Sequence, residues 1–448
     1  MEHLNALSPL DGRYREKTAN LRPFFSEGAF FTYRARVEIE YLIAFLRQTD
    51  IQKLNKQMEG ELRSLAELSE ADLVRVKAIE AETRHDVKAL EYFLREQIAD
   101  TALHPYIHFG LTSEDTNNIA YALMISDALS AVILPALNKL SDNLGEMADR
   151  YQAAPMLART HGQPASPTTF GKEMRVFQAR LVRKLDLLTA HRLGAKLNGA
   201  TGNYSALAAA FPAFDWVAFS EQFIRSFNQN RQTQLVPTAR TTQIEPRDAL
   251  AELFDLIKGV NTILLDLCGD MWRYISDGWL AQKVVDGEVG SSTMPHKVNP
   301  IHIENAEGNL GLANALLEFF SRKLPISRLQ RDLSGSTVLR SIGAAFGHCL
   351  LAYHSVSAGL ARVALDEAAC LAALDAHPEV VTEAIQVILK REGLSDAYER
   401  LLDLSRGKPL TRVNLEEFIG ELELNENVKQ ELLAIPPRSY IGLADRLD

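Results

Sequence analysis

The sequence predicts an all-α protein of three helical domains, with long helices bundled in the middle. Three observations lead there. Apolar residues recur at alternating spacings of three and four along five long segments, the period of a helix with one buried stripe. No segment among them alternates with period two, as a half-buried strand would. The composition is that of an ordinary globular chain: 448 residues, 46% hydrophobic and 24% charged, enough to bury a large core and to divide into domains.

Taken in order, residues 1–111 form the first domain. Its helical segments are short and interrupted at LRPFF and LHPY, and one helix is expected from about Ala71 to Ala99, with Val87, Leu90, Leu94 and Ile98 on one face. Residues 112–363 form the bundle. Its stripes run through Ile133, Leu137, Leu140 and Leu144; Met174, Phe177, Leu181 and Leu185; Leu250 to Tyr274; Ile303 to Leu324; and Leu339 to Val363. Each persists for three or more turns, so the helices should be rods of roughly 30 to 40 Å. Residues 364–448 form a small charge-rich helical domain, broken at RGKPLTR and IPPRSY. The bundle stripes are too apolar over too great a length for a self-contained bundle, which favours packing against copies of the same chain.

Charge and cysteine usage narrow the function. A formal net charge of -10 argues against a nucleic-acid partner, which needs a basic stripe. Any anionic ligand must therefore meet locally placed Arg and Lys. Cys268, Cys349 and Cys370 form no C-x-x-C pair, which fits core thiols in a reducing compartment. The N-terminus MEHLNALSPLDGRY has no basic region followed by an apolar run, and no uncharged stretch is long enough to cross a bilayer. The chain reads as cytoplasmic, with no membrane partner.

Chemistry concentrates in a few stretches. DGEVGSSTMPHKVNP, residues 286–300, joins two long helices with two glycines, two serines, a His-Lys pair and two prolines. A plain helix connection is shorter, so this one reads as functional. A serine there becomes a base only if nearby amides and a cation such as Lys297 stabilise its oxyanion. ARTHGQPASPTT places His161 in a turn between two helices, where it is either a proton-transfer group or a structural cap. ETRHDVKALEYF puts Arg84, His85, Asp86 and Lys88 within one turn; Asp86 could orient His85, though adjacent helical residues do not share a face, and a solvated surface fits the pattern equally. In FGLTSEDTNN, Thr112 and Ser113 precede carboxylates at the entry to a long helix, the pattern of an N-cap that also attracts anions. His104-x-x-x-His108 has metal-like spacing, but Pro105 interrupts it and no third ligand lies close by in sequence, so both read as structural. Neither a Gly-x-x-x-x-Gly-Lys loop nor a Gly-x-Gly-x-x-Gly fingerprint occurs, which removes support for ATP and dinucleotide sites.

Together these stretches carry a family resemblance. GSSTMPHKVNP resembles the signature loop of the fumarase/aspartase superfamily, and SPLDGRY, RHDVKA, TSED, RTHGQPASPTT, TTQIEP and QRDLSGSTVLR resemble the adenylosuccinate lyase family within it, over nearly the whole chain. The resemblance implies a homotetramer of three-domain helical subunits whose central helices merge into a twenty-helix core, with no cofactor and no metal. It implies β-elimination of fumarate from adenylosuccinate, giving AMP, and from the succinyl-carboxamide ribotide of purine synthesis. Ser291 then matches the general base and His161 the general acid. His85 matches a second site histidine. Arg13, Tyr14, Arg84, Asp86, Thr112, Ser113, Gln243, Arg331, Ser336 and Arg340 match nucleotide-binding positions, and Arg84 stands where relatives can carry Asn. Ser292, Lys297, Asn299 and Asn305 match contacts to the succinyl carboxylates or to the loop itself.

The residue chemistry agrees with that assignment. Taking a proton from the carbon beside a carboxylate builds dianionic character that needs concentrated positive charge. The substrate's own anionic groups give Arg13, Arg84, Arg331 and Arg340 a purpose in an acidic protein. The glycine-hinged serine loop would serve as a lid. Two other classes fit parts of the sequence: a pyridoxal-phosphate enzyme using Lys297 as its Schiff-base lysine, and a coiled-coil scaffold without activity. The absence of a strand-rich half argues against the first, and the reactive loops are unexplained by the second.

Overall fold

The computed structural model describes residues 2–283, 294, 297–405 and 410–447. The fold is all-α, and all five long helices are present: Ser113 to Arg150, Phe170–Ala190, Asp248–Ser276, Ile301–Lys323 and Ile342–Ala361. At 1.5 Å per residue the 29-residue helix Asp248–Ser276 is about 43 Å long.

The helix that starts at Ser113 is apolar enough along part of its length to resemble a membrane span, but two thirds of that window is buried inside the protein, as in a core helix. It widens into a π turn at Leu129–Ile133, just before Pro135. Proline brings no N–H and a bulky ring to the turn before it, and a wider turn accommodates both.

Two compact units make up the chain: residues 1–138, 183–262 and 307–354 in one, and 139–182, 263–306 and 355–448 in the other. Each boundary falls inside one of the five long helices. In the first unit, an aromatic cluster of Tyr41, Phe45, Phe109, Phe211, Trp216 and Phe219 packs with ring centroids about 5 to 6 Å apart. The helix Glu27–Thr49 starts at Ser26, whose hydroxyl accepts from the Ala29 N–H at 3.1 Å; it buries Val37 and brings Tyr41 and Phe45 into that cluster. Farther along, Tyr353 donates to Asn261 Oδ1 at 2.8 Å, and Asn261 donates to Asn314 at 2.9 Å, so the buried polar atoms of these three helices satisfy one another. In the second unit the core includes Met174, Leu181, Leu267, Met271, Ala306, Val356 and Leu360.

Three expectations are corrected. The helix expected over Ala71–Ala99 is two helices, Glu70–Thr83 and Asp86–Gln97, because Arg84 adopts a left-handed conformation (φ 55°) that an α-helix cannot continue through. The stripe from Leu339 to Val363 is likewise divided: Ser334–Leu339 is a short helix, and the long one begins at Ile342. Strands are present where none was expected: Pro155–Thr160 and Gln163–Thr169 form an antiparallel hairpin. Short pairings also join Leu193–Ala195 to Leu235–Pro237 and Leu280–Gln282 to Val363–Leu365.

Candidate active site

In the first unit the candidate site begins at the helix that Thr112 starts. The Thr112 N–H donates to Asp115 Oδ2 at 2.9 Å, so TSED is an N-cap as its pattern predicts. Its two carboxylates turn different ways. Asp115 pairs with Lys196 at 2.9 Å, and neither side chain has any solvent exposure. Asp115 also accepts from the Asn198 and Gly199 N–H groups, while Lys196 Nζ donates to the carbonyls of Gly199 and Gln243, each at 2.8 Å. This buried pair therefore ties Thr112 and Ser113 to the segment bearing Gln243.

Glu114 faces two arginines. Arg247 donates to its Oε1 at 2.8 Å, and Arg331 lies 3.7 Å from its Oε2. Arg331 also donates to Gln243 Oε1 at 3.0 Å and to Ser336 Oγ at 3.3 Å. Gln243, Arg331 and Ser336, predicted separately from two distant segments, thus form one connected group. Beside them burial pushes the Glu245 carboxyl up, against the Arg247 N–H that donates to it at 2.6 Å.

The Arg84-His85-Asp86 turn forms a second group. Left-handed Arg84 closes one helix by donating its N–H to Glu80 O at 2.7 Å. His85 caps the next helix, its Nδ1 accepting from the Lys88 N–H at 3.2 Å, which assigns the neutral ring's proton to Nε2. Asp86 does not hydrogen-bond His85. Its Oδ1 accepts from the Val87 N–H at 2.9 Å, and its Oδ2 accepts from Arg34 at 2.7 Å and from Arg340 at 3.4 Å. Burial would raise the Asp86 carboxyl, but the Arg34 guanidinium, with help from Val87 and Arg340, brings it below the usual carboxylate range.

Arg13 and Tyr14 lie in the N-terminal turns. The Tyr14 N–H donates to Pro9 O at 2.8 Å, and the exposed Arg13 guanidinium lies 5.9 Å from the Tyr14 ring centroid. The histidine pair at 104 and 108 is structural: His104 Nε2 bonds Ile98 O at 2.8 Å, and His108 Nδ1 bonds Glu38 at 2.7 Å.

In the second unit His161 occupies the tip of the hairpin. Thr160 pairs with Gln163, leaving His161 and Gly162 as a two-residue turn with φ of 52° and 77°. Two positive φ values mark a type I′ turn, which matches strand twist and favours Gly at the second position. The turn holds an exposed His161 in a conformation uncommon outside glycine. The hairpin is braced by Ser166, which donates to Glu383, and by Tyr440, which donates to the same carboxylate at 3.1 Å. Lys297 is exposed, and its N–H donates to Met294 O at 3.0 Å. Asn299 accepts through its backbone carbonyl from Ile301, and Asn305 Oδ1 accepts from Ser355 at 3.0 Å. Ser291 and Ser292 lie outside the described residues, as does most of the loop expected to be a lid.

Arg34, Glu114, Lys196 and Arg247 escaped sequence reading as parts of the site. Only Glu114 left a signal, as a carboxylate within TSED, and there it passed for part of a cap. Arg34 is distant in sequence from Asp86 and Lys196 from Asp115, while Arg247 directly follows TTQIEP but reaches Glu114 from 133 residues away.

Comparison with known proteins places the chain. A family profile described as Lyase matches residues 12–314, and another described as Adenylosuccinate lyase C-terminal matches residues 327–441. The chain is 45% identical to adenylosuccinate lyase of Dictyostelium discoideum over 460 residues, covering 99% of this chain and 97% of that one. To the Escherichia coli K12 adenylosuccinate lyase it is 44% identical over 452 residues, covering 99% and 98%. Among solved structures, a fumarate lyase from Mesorhizobium sp. BNC1 shares the fold with a TM-score of 0.77 at 19% identity, covering 95% of this chain and 96% of that one. With relatives this similar along its whole length, the chain belongs to the adenylosuccinate lyase family.

Proposed function

We propose that the protein eliminates fumarate from adenylosuccinate, leaving AMP, and from the succinyl-aminoimidazole-carboxamide ribotide, leaving AICAR. The observation that carries this reading is the joined group of Gln243, Arg331 and Ser336, where a partly exposed guanidinium donates to two neutral side chains and shares its one carboxylate, Glu114, with Arg247, leaving positive charge in excess. Two carboxylates and a phosphate give the substrate about four negative charges, which such a group is suited to receive.

Ser291 takes a proton from the succinyl β-carbon. The carbon–nitrogen bond at the neighbouring carbon then breaks, its electron pair going to nitrogen as the carbon–carbon double bond of fumarate forms. His161 protonates the departing nitrogen. Lys297, with Ser292, Asn299 and Asn305, stabilises the carboxylate on which charge develops. Arg13, Tyr14, Arg84, His85, Asp86, Thr112, Ser113 and Arg340 hold the nucleotide with the Gln243 group. The working form is a cytoplasmic homotetramer with a twenty-helix core, in which sites are shared between subunits, and it uses neither metal nor organic cofactor.

Ser291→Ala tests the chemistry. Because the base acts in the transition state, kcat should fall by about a thousandfold or more while adenylosuccinate binding is nearly retained. A mutant with wild-type kcat would reject Ser291 as the base.

A further inference from the structure

Arg34 lies in the middle of the helix Glu27–Thr49, on a stretch that no motif marks. Its side chain is 3% exposed, whereas those of Asp86 and Arg340 are 22% and 67% exposed. Arg34 Nε donates to Asn117 Oδ1 at 2.8 Å, and its guanidinium carbon lies 3.6 Å from the centre of the Phe30 ring. With one face stacked and one edge bonded, the guanidinium keeps one direction for Nη2, which donates to Asp86 Oδ2 at 2.7 Å. That same oxygen accepts from Arg340 at 3.4 Å. The three groups border a cavity of about 140 Å³, on which Asp86 and Arg340 are the more open and Arg34 is nearly enclosed; the other two carboxylates lining it, Glu27 and Glu80, are paired with Lys77.

We infer that Arg34 is a positioning residue for nucleotide binding: it fixes Asp86 in one orientation and, through Asp86, sets the reach of Arg340. The inference rests on the proposed function, since it takes Asp86 and Arg340 as substrate-binding groups. The physical need is specific to an anionic ligand. A bare carboxylate beside a substrate of several negative charges would repel it, and a buried arginine cancels that charge without occupying the space the ligand needs. Without Arg34, Asp86 would either repel the nucleotide or take Arg340 as its sole cation.

Steady-state kinetics of fumarate release from adenylosuccinate on Asp86→Asn, Arg34→Gln, Arg34→Lys and the Arg34→Gln/Asp86→Asn double variant test this, with melting curves to confirm folding. Arg34→Gln should raise KM about tenfold or more while kcat stays within about threefold, and Arg34→Lys, which keeps the charge but loses the fork, should fall between it and wild type. The double variant should be no worse than Asp86→Asn, because one residue acts through the other. If Asp86→Asn raises KM and a folded Arg34→Gln does not, or if the two effects on KM simply add, the inference is overturned. If Arg34→Gln does not fold, Arg34→Lys decides: a wild-type KM overturns the inference and a raised one supports it. A wild-type KM for Asp86→Asn would instead contradict the assignment of Asp86 to the substrate, and the role of Arg34 would fall with it.

Discussion

The site is held in place by buried charge whose only partners are within the protein. Lys196 and Asp115 have no solvent exposure, so each depends on the other and on the backbone groups around them. Removing one member of such a pair strands the other without compensation. Lys196→Met should therefore cost about 3–5 kcal/mol in denaturant unfolding, an effect far beyond that of an exposed salt bridge. It should also raise KM, because the Gln243 carbonyl loses its donor. None of this was readable from the sequence: Lys196 is 81 residues from Asp115 and belongs to no motif. Thr112, His85 and Gln243 are proposed from the pattern of their neighbours in sequence, whereas Lys196 and Arg34 are defined only by what the fold brings to them.

At the scale of elements, local chemistry explains which parts the sequence revealed. The five long helices repeat one apolar stripe over many turns, and that signal survives any tertiary arrangement. The hairpin around His161 has no such signal, since PMLART and QPASPTT are short and proline-punctuated and their pairing partners are each other. Its turn depends on Gly162 at φ 77°. Gly162→Ala should destabilise the hairpin by about 1–2 kcal/mol and lower kcat by misplacing His161, while Gly162→Asn, which tolerates the conformation better, should lose less of both. A second element, the turn before TSED, is latched to the helix Glu27–Thr49 by His108 and Glu38. Burial disfavours the charged ring, but Glu38 outweighs it, with Glu91 and Asp115 adding to the same effect, and the His108 pKa is raised. A raised histidine stabilises the fold fully below its unfolded value near 6.5 and loses that contribution as pH rises through its folded value. The melting-temperature gap between wild type and His108→Asn should thus be widest at about pH 6 and shrink by about pH 9; a gap that widens with pH would contradict the latch.

For the whole molecule, the apolar stripes that the sequence offered as a reason for self-association are buried within the single chain, with Leu137, Leu181, Leu264 and Leu317 fully enclosed, so the proposed tetramer needs its own test. If His161 and Ser291 of one working site come from different subunits, mixing inactive His161→Gln and Ser291→Ala proteins, then dissociating and reassociating them, should restore roughly a quarter of wild-type activity. Hybrid tetramers verified by mass that stay inactive would place both residues in one subunit. All of this presumes the reaction itself, and one measurement tests that directly: purified protein incubated with adenylosuccinate, with the loss of substrate absorbance followed alongside chromatography of the products. AMP and fumarate should appear in equal amounts as the substrate disappears. Unchanged adenylosuccinate, with fumarate released by the same preparation from a different succinyl substrate, would contradict it.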